Sequence, residues 1–276
     1  MIVVEPKTQN PKPETGVSVK PKTPNPKLET GVLPRWRGLC AYDGTDFYGW
    51  QSQQGGRTIQ DFLEKRLAQI FQRPVRVHAS GRTDSGVHAK AQVFHFDAEW
   101  THPVAHLQRA LRSGLPRGIA VSAVRRAKGD FHARYSARGK RYRYRVFLGY
   151  PSPFESRWSW SLGDRPVDVE KMRAAAKKLL GKHDFTAFSG QYEESENPVK
   201  DLRRLDILQR GPRVDFVIEA SGFLYKMARG LVGALVAVGL GKLTSADLEQ
   251  ILKSKKRPVE IATAPALGLC LEKVFY

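Results

Sequence analysis

Cysteine is nearly absent. The chain has 276 residues and two cysteines, Cys40 and Cys270, with no CxxC and no close spacing. That excludes a disulfide framework and a cysteine-rich zinc site, and it suits a reducing compartment. The seven histidines contain no HExxH. His102 and His106 stand four apart without a Cys, Asp or Glu at ligand spacing, so they read as ordinary helix residues and no metal is expected. Long apolar runs are missing too. Nothing approaches the ~20 residues that span a bilayer, so no membrane partner is expected. The start, Met1 to Lys7, has no basic lead followed by an apolar stretch, so it does not read as a secretory signal; a cytoplasmic location is expected. Acidic residues are the scarcest relative to their counterpart: 27 Asp+Glu against 46 Lys+Arg, a formal net charge of +19. Such a surplus attracts polyanions and speeds their arrival. Nucleic acid is the commonest such partner, bound with an affinity that falls steeply with salt. Charge alone leaves open a ribosome-associated or merely basic protein.

The first 34 residues stand apart from the rest. They hold an imperfect repeat, PKTQNPKPETGV from Pro6 to Val17 and PKTPNPKLETGV from Pro21 to Val32. Frequent proline with few large apolar residues cannot bury enough surface to offset the entropy of ordering. Residues 1–34 are therefore expected to be a disordered Pro/Lys-rich tail. The tail carries five lysines against three glutamates, a surplus of two, which leaves +17 for the body. It has no arginine before Arg35 and does contain acids, unlike an organellar transit peptide.

The body alternates strands and helices. Arg37 to Tyr42 reads as a strand. Thr58, with Asp61 three residues on, is a capping-box signal, and Ile59, Phe62, Leu63, Leu67 and Ile70 share one helical face behind it. Strands are expected at Val75 to Ser80, Ala91 to Phe96, Ile119 to Val124 and Lys140 to Phe147, with a helix at Val104 to Leu111. The second half adds a helix from Val169 to Leu180, strands at Leu202 to Leu208 and Val214 to Ala220, and an apolar helix at Lys226 to Val238. A further helix at Ser245 to Lys253 and a strand at Leu269 to Phe275 close the chain. With no tidy βαβ alternation, the expected class is α+β with antiparallel sheets. The expected organisation is an N-terminal half, 35–150, and a C-terminal half, 151–276, each of ordinary domain size.

Three segments carry chemistry. In Ser80-Gly81-Arg82-Thr83-Asp84-Ser85-Gly86-Val87-His88-Ala89 two glycines bracket a carboxylate, so the backbone there can adopt conformations closed to other residues. Such a loop can hold Asp84 out into a cleft; equally, Asp84 can hydrogen-bond its own backbone in a turn. In Lys140-Arg141-Tyr142-Arg143-Tyr144-Arg145 the strand period puts Arg141, Arg143 and Arg145 on one side and Tyr142 and Tyr144 on the other. That suits phosphate contact on one face and base stacking on the other. A solvated basic face over two core tyrosines is the plainer reading, and for Tyr144 the better one. Third, Arg229 lies in a strongly apolar helix, where an unpaired buried charge costs several kcal/mol. It therefore requires a carboxylate partner, which the sequence alone does not name.

GRTDSGVHA resembles the catalytic motif of pseudouridine synthases, in the form found in the TruA family of tRNA enzymes. The resemblance continues, in order, through YDGTDFYGWQ (Tyr42–Gln51), FHARYSARGKRYRY (Phe131–Tyr144), HDFTAF (His183–Phe188), MARGLVG (Met227–Gly233) and ATAPALGLCL (Ala262–Leu271). It covers about 36–276, nearly everything but the tail. It implies two similar α+β halves with antiparallel sheets joined around a central basic cleft. It also implies a homodimer acting on the anticodon arm of tRNA, where uridines at positions 38, 39 and 40 become pseudouridine. By position, Asp84 matches the catalytic aspartate, Tyr142 the tyrosine that stacks on the target base, and Arg229 the basic partner of the aspartate. Arg82 matches an arginine that holds the flipped-out nucleotide. Phe131, His132 and Arg134 match an RNA-contacting loop, and Leu269 and Leu271 a segment beneath the pocket. Ser85 stands where the family usually has Ala, and Gly230 where Asn is common. Turning uridine into pseudouridine needs no redox step and no external group, so no cofactor is expected. Other readings are a related synthase acting on other RNAs and an RNA-folding chaperone without catalysis.

Overall fold

Alternation is strict in the first strand, β1 (Arg35–Tyr42), where every second residue is buried. The computed structural model describes residues 33–190 and 197–276. The repeat expected to form a disordered tail lies outside them. After β1 the chain makes helix α1 (Ile59–Phe71), strands β2 (His78–Ala79) and β3 (His88–Asp97), helix α2 (Val104–Arg112), and strands β4 (Ile119–Arg126) and β5 (Gly139–Phe147). It continues through α3 (Pro153–Ser156), β6 (Trp160–Ser161), α4 (Val169–Lys177), β7 (Gly181–Asp184), β8 (Val199–Arg210), β9 (Arg213–Ala220), α5 (Met227–Gly239), α6 (Ser245–Ser254) and β10 (Leu269–Phe275).

The expected capping box forms. The Thr58 side chain accepts from the Asp61 backbone N–H, and the Asp61 carboxylate accepts from the N–H of Thr58. Two donors left over at the helix end are thereby satisfied. The expected strand at Val75 to Ser80 shrinks to His78 and Ala79. Val75 and Val77 are buried, but the Val77 N–H donates to the Glu64 carboxylate on α1 at 2.9 Å. A helix side chain replaces the sheet ladder there, so burial is met without strand pairing.

The strands form one sheet in the order β4-β1-β3-β10-β5-β9-β8-β7, with β2 added to β3 and β6 to β5. Its pairings are antiparallel except β10 with β3 and β5 with β6. The fold is thus α+β with a mostly antiparallel sheet. β10, the last strand in sequence, inserts between β3 and β5 near the middle of the sheet. In register it aligns Leu271 with Ala89 on one side and with Tyr142 on the other. Strand β5 in turn lies between β10 and β9, so the ladder runs without a break through residues on both sides of position 150. α2 packs on β4 and α1, and α4 packs on β8, α5 and α6.

Every residue of α5 is buried except Arg229. The helix is small-residue rich, and two glycines let other backbone come close. A Cβ at Gly230 would lie 2.1 Å from the Phe188 carbonyl oxygen, and one at Gly233 would lie 1.8 Å from that of Ala262. Position 230 therefore has no room for a larger side chain. Crossing at Gly233 brings 262–264 against the start of α5, where the Ala264 N–H donates to the Arg229 carbonyl at 3.2 Å. Gly233→Ala is expected to destabilise the protein by about 1–3 kcal/mol, the usual cost of overpacking. Urea denaturation should show the midpoint lowered; an unchanged midpoint would mean the crossing segment is not held there.

Candidate active site

The segment from Ser80 to Val87 links β2 to β3, and its shape is fixed from several directions. The Ser80 N–H donates to the Val93 carbonyl, and its hydroxyl donates to Gln92 at 2.6 Å. The Gln92 amide donates in turn to the Gly81 carbonyl at 2.8 Å. The Thr83 carbonyl accepts from the Trp50 N–H, and the Thr83 and Tyr42 hydroxyls bond at 2.9 Å. Gly86 takes a left-handed φ of 78°, and the Val87 N–H closes back on the Asp84 carbonyl. Only one of the two flanking glycines serves the backbone bend; Gly81 has no left-handed φ.

This turn leaves the Asp84 carboxylate facing Arg229. The Arg229 guanidinium donates from Nη1 to Asp84 Oδ2 at 2.6 Å and from Nε to the Ala264 carbonyl at 2.6 Å. Side-chain exposures of 13% for Arg229 and 25% for Asp84 leave the pair shielded while the carboxylate stays reachable. The anion that the apolar helix required is Asp84.

Tyr142 on β5 is buried and meets Phe223 edge to face, ring centroids 4.8 Å apart at 81°. Burial first, and the Asp84 charge second, push the ionisation of its phenol well above the ordinary value. The hydroxyl therefore keeps its proton near neutral pH. Tyr144, two residues on, is a core residue whose hydroxyl donates to the Pro265 carbonyl at 2.7 Å.

Asp84, Tyr142 and Arg229 line one cleft of about 1240 Å³. Its other charged walls include Arg76, Arg82, Arg134, Lys140, Lys200 and Lys226, and among the described lining residues Asp84 is the sole carboxylate. The cleft exceeds the usual ~300–1,000 Å³ of a small-molecule site and has the sign of a polyanion groove. Arg82 is exposed at its mouth, its Nε donating to Gln51 at 3.1 Å. His132 and Arg134 also line it. Phe131 does not: it packs against Tyr276, with the Arg37 guanidinium 5.0 Å from its ring centre. Leu269 reaches the cleft and Leu271 is buried beside Tyr142.

The arginine face of β5 is not free for phosphate. Arg141 pairs with Glu219, Arg143 with Glu272 and Asp215, and Arg145 with Asp215. These carboxylates come from β9 and β10, the two strands flanking β5, so the basic stripe serves the sheet. Lys140, Lys200 and Phe223 line the cleft without having been singled out in the sequence. For Lys140 the signal was present, because strand parity puts it on the tyrosine face. Among the described residues no three His, Cys, Asp or Glu converge to ligate a metal, and no helix is long and apolar enough to cross a membrane.

A family model described as tRNA pseudouridine synthase matches residues 39–136 and 175–276. A protein of Staphylococcus aureus strain MRSA252, named tRNA pseudouridine synthase A, is 43% identical over 236 residues, covering 85% of this chain and 89% of its own. The protein of the same name from strain bovine RF122 / ET3-1 is 43% identical over 236 residues, covering 85% of this chain and 88% of its own. A solved archaeal box H/ACA sRNP Nop10-Cbf5 complex aligns with 73% of this chain and 43% of its own at 14% identity, with a TM-score of 0.31, too loose a likeness to bear on fold or function. The chain belongs to the tRNA pseudouridine synthase family.

The cleft wall from 131 to 137 rests on neutral histidines. The Ala133 N–H donates to His95 Nδ1 at 3.1 Å, and the Arg134 N–H to His132 Nδ1 at 3.2 Å. His78, His95 and His132 crowd together, with centroids 4.9 Å apart for His78–His95 and 4.5 Å for His95–His132. Burial first, then His132 and His78, lower the His95 pKa from 6.5 to about 4. Above pH 6.5 the ring is neutral in both folded and unfolded chains. As pH falls toward 4, the unfolded chain takes up a proton that the folded one refuses, so stability is lost across that window. Urea midpoints should fall more steeply between pH 7 and pH 4.5 in the wild type than in His95→Gln. Parallel declines would contradict the assignment.

Proposed function

We propose that the protein isomerises uridine to pseudouridine in the anticodon stem-loop of tRNA, at positions 38, 39 and 40, with Asp84 as the catalytic carboxylate. The observation that carries this is the sole carboxylate among the described lining residues, held by Arg229 at 2.6 Å, in a cleft whose other described charged residues are cations. A groove that only bound RNA would gain nothing from a carboxylate there, since it repels phosphate.

The reaction breaks the N1–C1′ bond, turns the ring and joins C5 to C1′; N1 ends with a proton and C5 loses one. Asp84 attacks covalently or takes a proton from the ribose, and either route needs a carboxylate facing the nucleotide. The target must first leave its stack, at a cost of a few kcal/mol. Arg82 at the mouth occupies the vacated space, and Tyr142 offers its ring to the extruded base. Because the Tyr142 phenol holds its proton, it moves the C5 proton only by passing its own on in the same step. His132 and Arg134 contact the RNA on the wall of the cleft, whereas Phe131 supports that wall from behind.

The family resemblance further supports a homodimer in the cytoplasm. It also supports a catalytic body in two α+β halves, 35–150 and 151–276, with residues 1–34 outside it; the family match itself begins at residue 39. No cofactor enters the scheme.

The test is to incubate purified protein with unmodified tRNA and map pseudouridine at single-nucleotide resolution, with Asp84→Asn alongside. Modification confined to the anticodon arm, and reduced by at least about a thousandfold in the variant, is expected. Wild-type turnover by Asp84→Asn would overturn the catalytic assignment. Tight, salt-sensitive binding without modification would favour a chaperone.

A further inference from the structure

Tyr135 lies on the cleft wall, and the chemistry above makes no use of it. It lines the same cleft as Tyr142, yet Tyr142 is 7% exposed and Tyr135 is 78% exposed. Burying an aromatic ring is favourable, so packing does not account for one left this open.

The turn that carries the ring is held from several sides. His132 Nδ1 accepts from the Arg134 N–H at 3.2 Å and from the Tyr135 N–H at 3.3 Å. The His132 N–H donates to the Ser136 hydroxyl at 3.0 Å, and the Ser136 N–H donates to the His132 carbonyl at 2.9 Å. Beneath them the Ala133 N–H rests on His95, and the Ala133 carbonyl accepts from the Tyr276 hydroxyl at 2.7 Å. The Tyr135 ring itself stacks on His132, centroids 4.3 Å apart at 29°. His132 in turn meets His95 edge to face. The ring is therefore backed on one side and set in place before any ligand arrives, which keeps the cost of ordering it on binding low.

A fixed, open ring in a cleft with cationic walls matches one ligand chemistry. The Arg134 guanidinium stands 5.9 Å from the ring centre, and Arg76 and Arg82 line the same cleft. Single-stranded nucleic acid is bound in this way, its bases stacked on aromatic faces and its backbone drawn by cations. Loops of RNA in particular present unpaired bases to such rings. Tyr142 is taken by the target base and Arg82 by the gap that the base leaves, so the ring at 135 is available to a different nucleotide.

We propose that Tyr135 is a stacking platform for an unpaired base of the RNA loop other than the target uridine. The inference rests on the Asp84-centred reading of the site. Every base has a π-face, so the platform tolerates any sequence. It fixes how the loop lies across the cleft while the target is extruded toward Asp84. The ring carries the contact, and the phenol hydroxyl is not needed for it.

The experiment uses the full chain and anticodon stem-loop RNAs in which a single abasic nucleotide replaces, one at a time, each loop position other than the target uridine. Dissociation constants and single-turnover rates are measured for wild type, Tyr135→Phe and Tyr135→Ala. Tyr135→Ala should weaken binding about tenfold and leave the salt slope unchanged, because no phosphate contact is lost. Tyr135→Phe should keep the wild-type affinity. One abasic position should weaken the wild type by a similar factor and Tyr135→Ala no further. Abasic losses that multiply in full with Tyr135→Ala at every position would overturn the proposal. So would Tyr135→Phe as impaired as Tyr135→Ala, or Tyr135→Ala that binds like the wild type. If the wild type binds the unsubstituted RNA but makes no pseudouridine in it, the functional reading fails instead, and the binding comparison still decides the stacking contact.

Discussion

A guanidinium on an otherwise buried helix has to find an anion, and the structure depends on how that need is met. Every other residue of α5 is buried, so Arg229 without a partner would cost several kcal/mol. Its partner is 145 positions away, on the turn between β2 and β3. One ion pair therefore satisfies a stability requirement and fixes the direction of the Asp84 carboxylate in the cleft. Its second donor, on the Ala264 carbonyl, ties in the segment that leads to β10. This pair differs in kind from the cross-strand pairs of Arg141, Arg143 and Arg145. Those stitch the sheet together.

β10 makes the meeting possible. By inserting between β3 and β5 it sets the start of β3, which follows the Asp84 turn, one strand away from Leu271 and two from Tyr142. At about 4.8 Å per strand, the carboxylate turn and the tyrosine come to face one cleft of nucleotide scale. The small residues of α5 then let the 262–264 segment pass closely enough to complete the arginine's hydrogen bonds. Sheet order, helix crossing and ion pair thus depend on one another. A change in any of them displaces Asp84.

Much of this was legible in the residues. The alternation of β1, the Thr58–Asp61 capping box and the apolar run of α5 announce local structure, because local structure obeys short periods. The Arg229 argument was legible as a need, but its partner was not, since ion pairing joins residues distant in sequence. The same limit left the role of the arginine face of β5 open. Alternation placed Arg141, Arg143 and Arg145 together, yet Glu219, Asp215 and Glu272 sit on neighbouring strands whose order no local pattern encodes. Phe131 and His132 are adjacent in one motif, but only His132 faces the cleft. Lys140 was within reach of simple parity, two residues before Tyr142.

The central claim is that Arg229 and Asp84 act as one unit, and a double-mutant cycle on the single-turnover rate of pseudouridine formation tests it most directly. The wild type, Arg229→Met, Asp84→Ala and the double variant would be compared at saturating tRNA, with tRNA dissociation constants measured alongside. The account predicts that Arg229→Met alone costs at least about a hundredfold in rate, and that it costs nothing more once Asp84 is gone. Rate losses that multiply independently, or an Arg229→Met protein with normal turnover, would contradict it.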